Sequence, residues 1–265
     1  MSIELMPGIS AHAVVHPDAQ IGRGVTIEPF TTVSADVVIG DDTWIGPNAV
    51  IMDGSRIGNR CRIFPGAVIG GIPQDLKYQG EPTTAEIGDD TTIREFCTIN
   101  RGTLDRMKSK VGSHCLLMAY THVAHDAFIG DHCVIANCAN IAGHVTIEDW
   151  VVIEGVVAIQ QFVTIGAHVF VGGGSLVRKN VPPYVKVARE PLSYIGVNAI
   201  GLRRRGFEEM FVRAVEDIYR TLYVHNGNMS QALKIAELEL PQSEAKETIL
   251  TFIRASDKGI VRGPL

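Results

Sequence analysis

The stretch from Leu116 to His144, LLMAYTHVAHDAFIGDHCVIANCANIAGH, sets His122, His125, Asp126 and His144 into an otherwise aliphatic and small-residue rhythm. Imidazole titrates near neutrality, at about pH 6.5. A histidine beside a carboxylate is therefore suited to take a proton from an attacking hydroxyl and return it to a leaving group. The chain has nine histidines, and His12, His114, His132, His144 and His168 recur in one phase of a repeat, as expected for an outward-facing turn position. His122 and His125 each stand alone in their phase, which marks them for chemistry.

The elements that must position these residues follow a period of six. From Val15 through Ile21, Ile27, Val33, Ile39, Ile45, Ile51, Ile57 and Ile63 to Ile69, every sixth residue is Val or Ile. The phase returns at Ile87, Ile93 and Ile99, and again from Val111 through Leu117 and Val123 to Val177. A small or medium residue stands two places earlier, as in Ala13, Ala19, Thr31 and Ala49. An unbroken period of this kind predicts a hexapeptide-repeat solenoid, with short β-branched strands joined by tight turns. A sandwich of ordinary strands would show alternation broken by irregular loops instead. Of the five cysteines, Cys61, Cys97, Cys115 and Cys133 share one repeat phase; with Cys138 they read as small buried thiols, not as disulfides or a metal cluster.

Two excursions interrupt the rhythm. Residues 70–84, GGIPQDLKYQGEPTT, put Asp75 and Glu81 where aliphatics belong and carry Pro73, Gly80 and Pro82, so they predict an external loop of functional character. Residues 101–110 form a shorter, charged and less informative excursion. Beyond Val177 the pattern changes, and helices are expected over 208–223, 230–239 and 243–256, the last two opening on Ser caps. Phe211, Val215, Ile218 and Leu222 share one helix face. The expected division is a β-helix over 1–189 and an α-helical domain over 190–265 that closes one end.

Length and composition bound the class. The 265 residues are 46% hydrophobic, enough for a sizeable core, and the formal charge of −5 argues against nucleic acid as the main partner. The first residues, MSIELMPGISAHAVVHPDA, lack a signal-peptide pattern, and no apolar run reaches membrane-spanning length, so a cytoplasmic protein without membrane insertion is expected. Arg203, Arg204, Arg205, Arg213 and Arg220 still give the tail local positive charge.

In known hexapeptide-repeat proteins three units make one triangular coil of a left-handed parallel β-helix, and this chain resembles them. That resemblance implies that residues i and i+18 stack. Gly143 and Gln161 then lie above His125, and His144 lies above Asp126. The column offers a base, a neighbouring carboxylate, and a glycine whose N–H a substrate can approach, which are the parts of an acyl-transfer site. It contains no Ser or Cys nucleophile, so transfer without an acyl-enzyme is expected.

The motifs IPQDLKYQGEPT, HVAHDAFIG, IAGHVTI, QQF, VPPYV and GVNAIGLRRRGF together resemble the UDP-N-acetylglucosamine 3-O-acyltransferase family over essentially the whole chain. The resemblance implies a homotrimer with sites between subunits. There a 3-hydroxyacyl group passes from acyl carrier protein to the sugar 3-hydroxyl, the first step of lipid A synthesis. It implies no cofactor and no metal. By matching motif, His125 is the base, Asp126 its orienting neighbour and the Gly143 amide the oxyanion donor. His122, Gln74, Asp75, Lys77, His144 and Gln161 would contact sugar, diphosphate or thioester, and Asn198, Arg204 and Arg205 the nucleotide. Two positions depart from the pattern: Gln160 replaces a common histidine and Ile200 a common acidic residue.

The resemblance also gives meaning to a line of glycines. Gly172, Gly173 and Gly174 stand together, and stacking places Gly155 beneath Gly173 and Asn137 beneath that. Glycine in a strand interior marks close approach by a ligand or another backbone. The acyl chain running up from His125 would reach Gly155 and Gly173, which then act as its ruler. Rival readings are an acyltransferase acting on a 3-amino sugar nucleotide, and a zinc enzyme of the carbonic anhydrase type using His122, His125 and His144. The later N-acyltransferase of the pathway carries a uridine-binding domain ahead of its repeats, whereas repeats here begin by Val15. A purely structural trimeric spike would have no use for the polar column.

Overall fold

In the computed structural model of the chain, which describes residues 8–224 and 228–263, the six-residue period becomes a left-handed parallel β-helix. The first seven residues, read above for a signal peptide, lie outside the described set. Each coil gives one short strand to each of three sheets of eleven, nine and eight strands. Register advances by one coil, pairing Leu116 with Val134, His122 with Asn140 and Phe128 with Thr146. Backbone N–H groups donate to the next coil, as from Val134 to the Val151 carbonyl at 2.9 Å. These bonds satisfy the main chain of a prism whose strands are only two to five residues long.

The period-six aliphatics fill the prism interior: Ile135, Ile141, Ile153 and Val171 are completely buried. The small position two residues earlier lies under each corner, where Ala127, Cys133 and Ala139 are buried and Thr91 satisfies its hydroxyl on the Gly112 carbonyl at 2.7 Å. Burial pushes the Cys61 and Cys97 thiols up to about 11. Cys138 departs from the expectation and is exposed, because it occupies the other recurring corner position. There Tyr120, Asp126, His132, Cys138, His144 and Trp150 all have φ between 57° and 64°. A left-handed residue with a side chain costs about 1–2 kcal/mol. Stacking along each corner offsets this, as between His132 and Trp150, whose ring centroids are 4.0 Å apart.

Both excursions are shorter than expected, because the strands Val68–Gly71, Thr84–Ile87 and Lys108–Val111 keep pairing. The irregular segments are 72–83 and 101–107. Past the last full coil, Val185–Ala188 continues the first sheet and Ser193–Val197 returns antiparallel to it. Four helices complete the described chain: α1 (Ala199–Arg204), α2 (Glu209–Tyr223), α3 (Met229–Glu239) and α4 (Glu244–Ala255). Ser243 caps α4 as expected, but Asn228, not Ser230, caps α3, since its side chain accepts from both Ser230 N and Gln231 N. The expected α2 face is buried at Val215, Ile218 and Leu222, joined by Val212 and Tyr219. The Tyr219 hydroxyl donates to the Pro183 carbonyl at 2.6 Å, tying α2 to the end of the prism. No helix among the described residues is long and apolar enough to cross a membrane.

Candidate active site

Three strands end at the same corner of the prism: Val68–Gly71, Thr98–Asn100 and His122–Val123 neighbour one another in the second sheet. From these strands the chain runs on, in turn, into the 72–83 loop, the 101–107 loop and the pair His125–Asp126. Gly143–His144 and Gln161–Phe162 occupy the corner on the next two coils. The loops are joined to each other: Thr83 donates its hydroxyl to the Gly102 carbonyl at 2.6 Å, Asn100 Nδ2 donates to the Ile72 carbonyl, and the Arg101 guanidinium lies 5.9 Å over the Tyr78 ring.

His125 and Asp126 are buried, with relative exposures of 5% and 0%. Asp126 Oδ2 lies 2.9 Å from His125 Nδ1, which places the ring proton on Nδ1 and leaves the Nε2 lone pair free. The carboxylate also accepts from Thr103 Oγ1 at 2.6 Å, Thr103 N at 2.9 Å and Arg106 N at 3.1 Å. Burial alone would raise the Asp126 carboxyl, but the donors from Thr103, His125 and Arg106 outweigh it and hold the group below the ordinary carboxylate range. Asp126 is thus a fixed anion behind the imidazole.

Gly143 is required by the ring below it. A Cβ there would stand 2.6 Å from His125 Cε1 and 2.8 Å from Nε2, so His125 occupies the space a side chain would fill. On several other coils the N–H at the equivalent turn position is taken up by a side chain, as Ser113 N is by Asp131 Oδ1 at 2.7 Å and Asp131 N by Asp149 Oδ1 at 2.8 Å. Among the described residues the Gly143 N–H has no acceptor. A free backbone donor therefore stands beside the free nitrogen of a base.

The other expected residues divide into two groups. His144 stacks on Phe162 with centroids 4.5 Å apart, meets the His125 ring edge-on at 5.1 Å, and has Asp105 Oδ2 2.9 Å from Nδ1, at ion-pair distance but not aligned for a hydrogen bond. Asp75, Lys77 and His144 line one cavity of about 440 Å³ with Thr103, Leu104 and Asp105. His122 lies on the strand leading into the corner, its Nδ1 2.7 Å from Thr98 Oγ1; burial, and then His125, push its pKa down. Gln74 and Gln161 are exposed, and neither lines that cavity.

Asn198, Arg204 and Arg205 line a separate cavity of about 310 Å³ against the first sheet, where Ile200 is 69% exposed. One chain does not bring them to His125. Asn198 caps α1 and donates to the His168 carbonyl at 2.9 Å, and the Arg205 guanidinium lies 5.3 Å over Trp150. Of the arginines read as a positive patch, Arg203 and Arg213 pair with Glu209 and Arg220 with Asp217, which leaves Arg204 and Arg205.

Gly155 and Gly173 stack as expected, but on a corner at the other edge of the second sheet and in turns, not strand interiors. A Cβ on Gly173 would lie 3.4 Å from the Gly155 carbonyl, and one on Gly155 3.3 Å from that of Asn137. The donor atoms that stand within 4.8 Å of one another are those of His125, Asp126 and His144; His122, needed for the zinc reading, is not among them.

Thr103, Asp105 and Arg106 escaped the reading of the sequence. The signal for them was present. Ile87, Ile93 and Ile99 fill one turn of the prism between the two excursions, and Val111, Leu117 and Val123 fill the next before His125, so all three irregularities fall on one corner.

Comparison with known proteins identifies the family. The family model described as Udp N-acetylglucosamine O-acyltransferase, domain 2, matches residues 180–261, and bacterial transferase hexapeptide repeats match 36–71 and 108–143. The chain is 47% identical over 259 residues to the acyl-[acyl-carrier-protein]--UDP-N-acetylglucosamine O-acyltransferase of Xanthomonas oryzae, covering 97% of this chain and 98% of the relative. It is 48% identical over 259 residues to the protein of the same name from Trichlorobacter lovleyi, covering 96% and 99%. The crystal structure of a UDP-N-acetylglucosamine acyltransferase from Bacteroides fragilis superposes with a TM-score of 0.94 at 48% identity, covering 96% of this chain and 99% of that one. The fold and a similarity that runs over nearly the whole chain coincide, and the chain belongs to the UDP-N-acetylglucosamine O-acyltransferase family.

Proposed function

We propose that this protein transfers a 3-hydroxyacyl group from acyl carrier protein to the 3-hydroxyl of UDP-N-acetylglucosamine, the first step of lipid A synthesis, in the cytoplasm. The observation that carries the mechanism is the His125–Asp126 pair, with its free Nε2 beside the unpaired N–H of Gly143.

His125 Nε2 removes the proton of the sugar hydroxyl as its oxygen attacks the thioester carbonyl. The imidazolium so formed is stabilised by Asp126, already ionised and fixed. The carbonyl oxygen becomes an oxyanion and accepts from Gly143 N–H. Collapse of the tetrahedral intermediate breaks the C–S bond, and the departing thiolate takes the proton from His125. No enzyme nucleophile is needed, in keeping with the burial of Cys61, Cys97, Cys115 and Cys133.

Lys77 and His144, with Asp75, form the wall that would hold the sugar and diphosphate. His122, Gln74 and Gln161 would complete the contacts around the sugar and the thioester. Asn198, Arg204 and Arg205 lie in another cavity of the same chain, so we place them at the nucleotide of a neighbouring subunit's site, which requires the trimer. Gly155 and Gly173 would leave room for the distal acyl chain. The prism would span residues 1–189 and the helical unit 190–265.

The test is incubation of the purified protein with UDP-N-acetylglucosamine, or its 3-amino analogue, and 3-hydroxyacyl carrier proteins of several lengths. An O-acylated nucleotide sugar is the expected product. Product from the amino analogue alone would reassign the acceptor, and no transfer to either would overturn the reading.

A further inference from the structure

We propose that Thr103 and Arg106, on the short 101–107 loop, are positioning residues that commit the Asp126 carboxylate to His125. The proposal rests on His125 being the base. Two histidines compete for the same oxygen: Asp126 Oδ2 lies 2.9 Å from His125 Nδ1 and 3.8 Å from His144 Nε2. A carboxylate free to turn could satisfy either ring. If it turned to His144, His125 would lose the partner that fixes its tautomer and stabilises its cation.

The loop prevents that rotation from both sides. Thr103 Oγ1 donates to Oδ2 at 2.6 Å, while Thr103 N and Arg106 N both donate to Oδ1, at 2.9 and 3.1 Å. The Arg106 guanidinium then holds the backbone of the same residue. It donates to the Asp126 carbonyl at 3.1 Å and to Thr146 Oγ1 at 3.2 Å, with its plane 4.8 Å over the Phe128 ring. The carboxylate therefore has every strong donor but one supplied by the loop, and the remaining one is the imidazole. An excursion that adds nothing to the prism core acts as a clamp on the dyad.

The experiment is steady-state kinetics on Thr103→Val, which removes the hydroxyl and keeps the volume. We expect kcat to fall at least ~10-fold, or about 1.4 kcal/mol of barrier, with KM for the nucleotide sugar within about twofold of the parent. Thr103→Ser should restore kcat. In an Asp126→Asn background Thr103→Val should cost nothing further, because its effect runs through the carboxylate. Arg106→Met, which keeps the stem over Phe128, is the second variant and carries the test if Thr103→Val fails to fold; it should lower kcat and spare KM. Parent-like kcat in a folded Thr103→Val, a loss that falls on KM, or a full further loss in the Asp126→Asn background would overturn the clamp. His125→Ala is assayed alongside: if it retains turnover, the base assignment itself has failed, which is a different result.

Discussion

Replacing Gly143 by alanine tests the catalytic geometry at its tightest point. Gly143 has an ordinary negative-φ backbone that alanine can adopt, so the whole effect must come from the added methyl. That carbon would stand 2.6 Å from His125 Cε1, about 1 Å inside an ordinary carbon contact of ~3.5 Å. The ring must give way. Turning it ~30° from its rotamer costs only about 0.5–1.5 kcal/mol, so the protein folds. The 2.9 Å bond to Asp126 is then lost, however, and Nε2 leaves its place beside the Gly143 N–H. The amide itself remains, so the loss belongs to the base, which contributes roughly 10²–10⁴ in rate. Measured at saturating acyl donor and nucleotide sugar, kcat should fall to within about tenfold of the His125→Ala variant. Adding Gly143→Ala to His125→Ala should cost nothing more if the methyl acts through the ring. A folded Gly143→Ala enzyme with parent-like kcat would refute the placement of His125, and a large further loss in the double variant would show that the methyl blocks the substrate instead.

His125→Ala should lower kcat at least ~100-fold while leaving the melting temperature near the parent's, as rate assays and thermal denaturation will show. Gly173→Met meets nothing closer than the Gly155 carbonyl at 3.4 Å from its Cβ, so it should fold and shift preference to shorter 3-hydroxyacyl donors, each lost methylene being worth ~0.8 kcal/mol. An unchanged chain-length profile would remove Gly173 as the ruler. His168, stacked between Trp150 and Tyr184, is pushed down to about 4 by burial and by Arg205, against the opposing pull of Asp149. Its folded pKa lies below the unfolded value of ~6.5, so the unfolded chain binds the extra proton and stability is lost as pH falls from about 6.5 to 4, by at most ~3 kcal/mol. Melting curves across that window should flatten in His168→Phe, and identical pH profiles would refute the assignment.

The prism was legible because one period governs all of it: Ile21 through Ile69 and Val111 through Val177 cannot repeat every six residues without facing one interior. The histidines were half legible. Counting by six groups His144 with His12, His114, His132 and His168, since all sit at the turn position; four of them, His144 included, have φ near 60°. Counting by the full coil separates them, because His114, His132 and His168 belong to the corner shared with Trp150, whereas His144 stands above Asp126. The roles of Thr103 and Arg106 were not legible, because they depend on where a nonrepeating loop folds back. The α3 cap was missed for a local reason, since Asn228 outcompeted Ser230 by accepting from two N–H groups at once.

The same division between repeat and exception explains why the chemistry sits on a corner. A strand residue of the prism is committed twice, to the ladder above and below through its backbone and to the interior or the sheet face through its side chain. A corner residue keeps its side chain outside the interior, free to stack on the next coil or to meet a loop, and its backbone commitment is loosened where an N–H such as that of Gly143 finds no acceptor among the described residues. Insertions at a corner leave the strands on either side paired, as Val68–Gly71 with Thr98–Asn100 and Thr84–Ile87 with Lys108–Val111 show across the two loops. The fold can therefore take in a donor loop, a carboxylate and a base at one corner without giving up a hydrogen bond of its core, and the rigid stack of coils holds them in register.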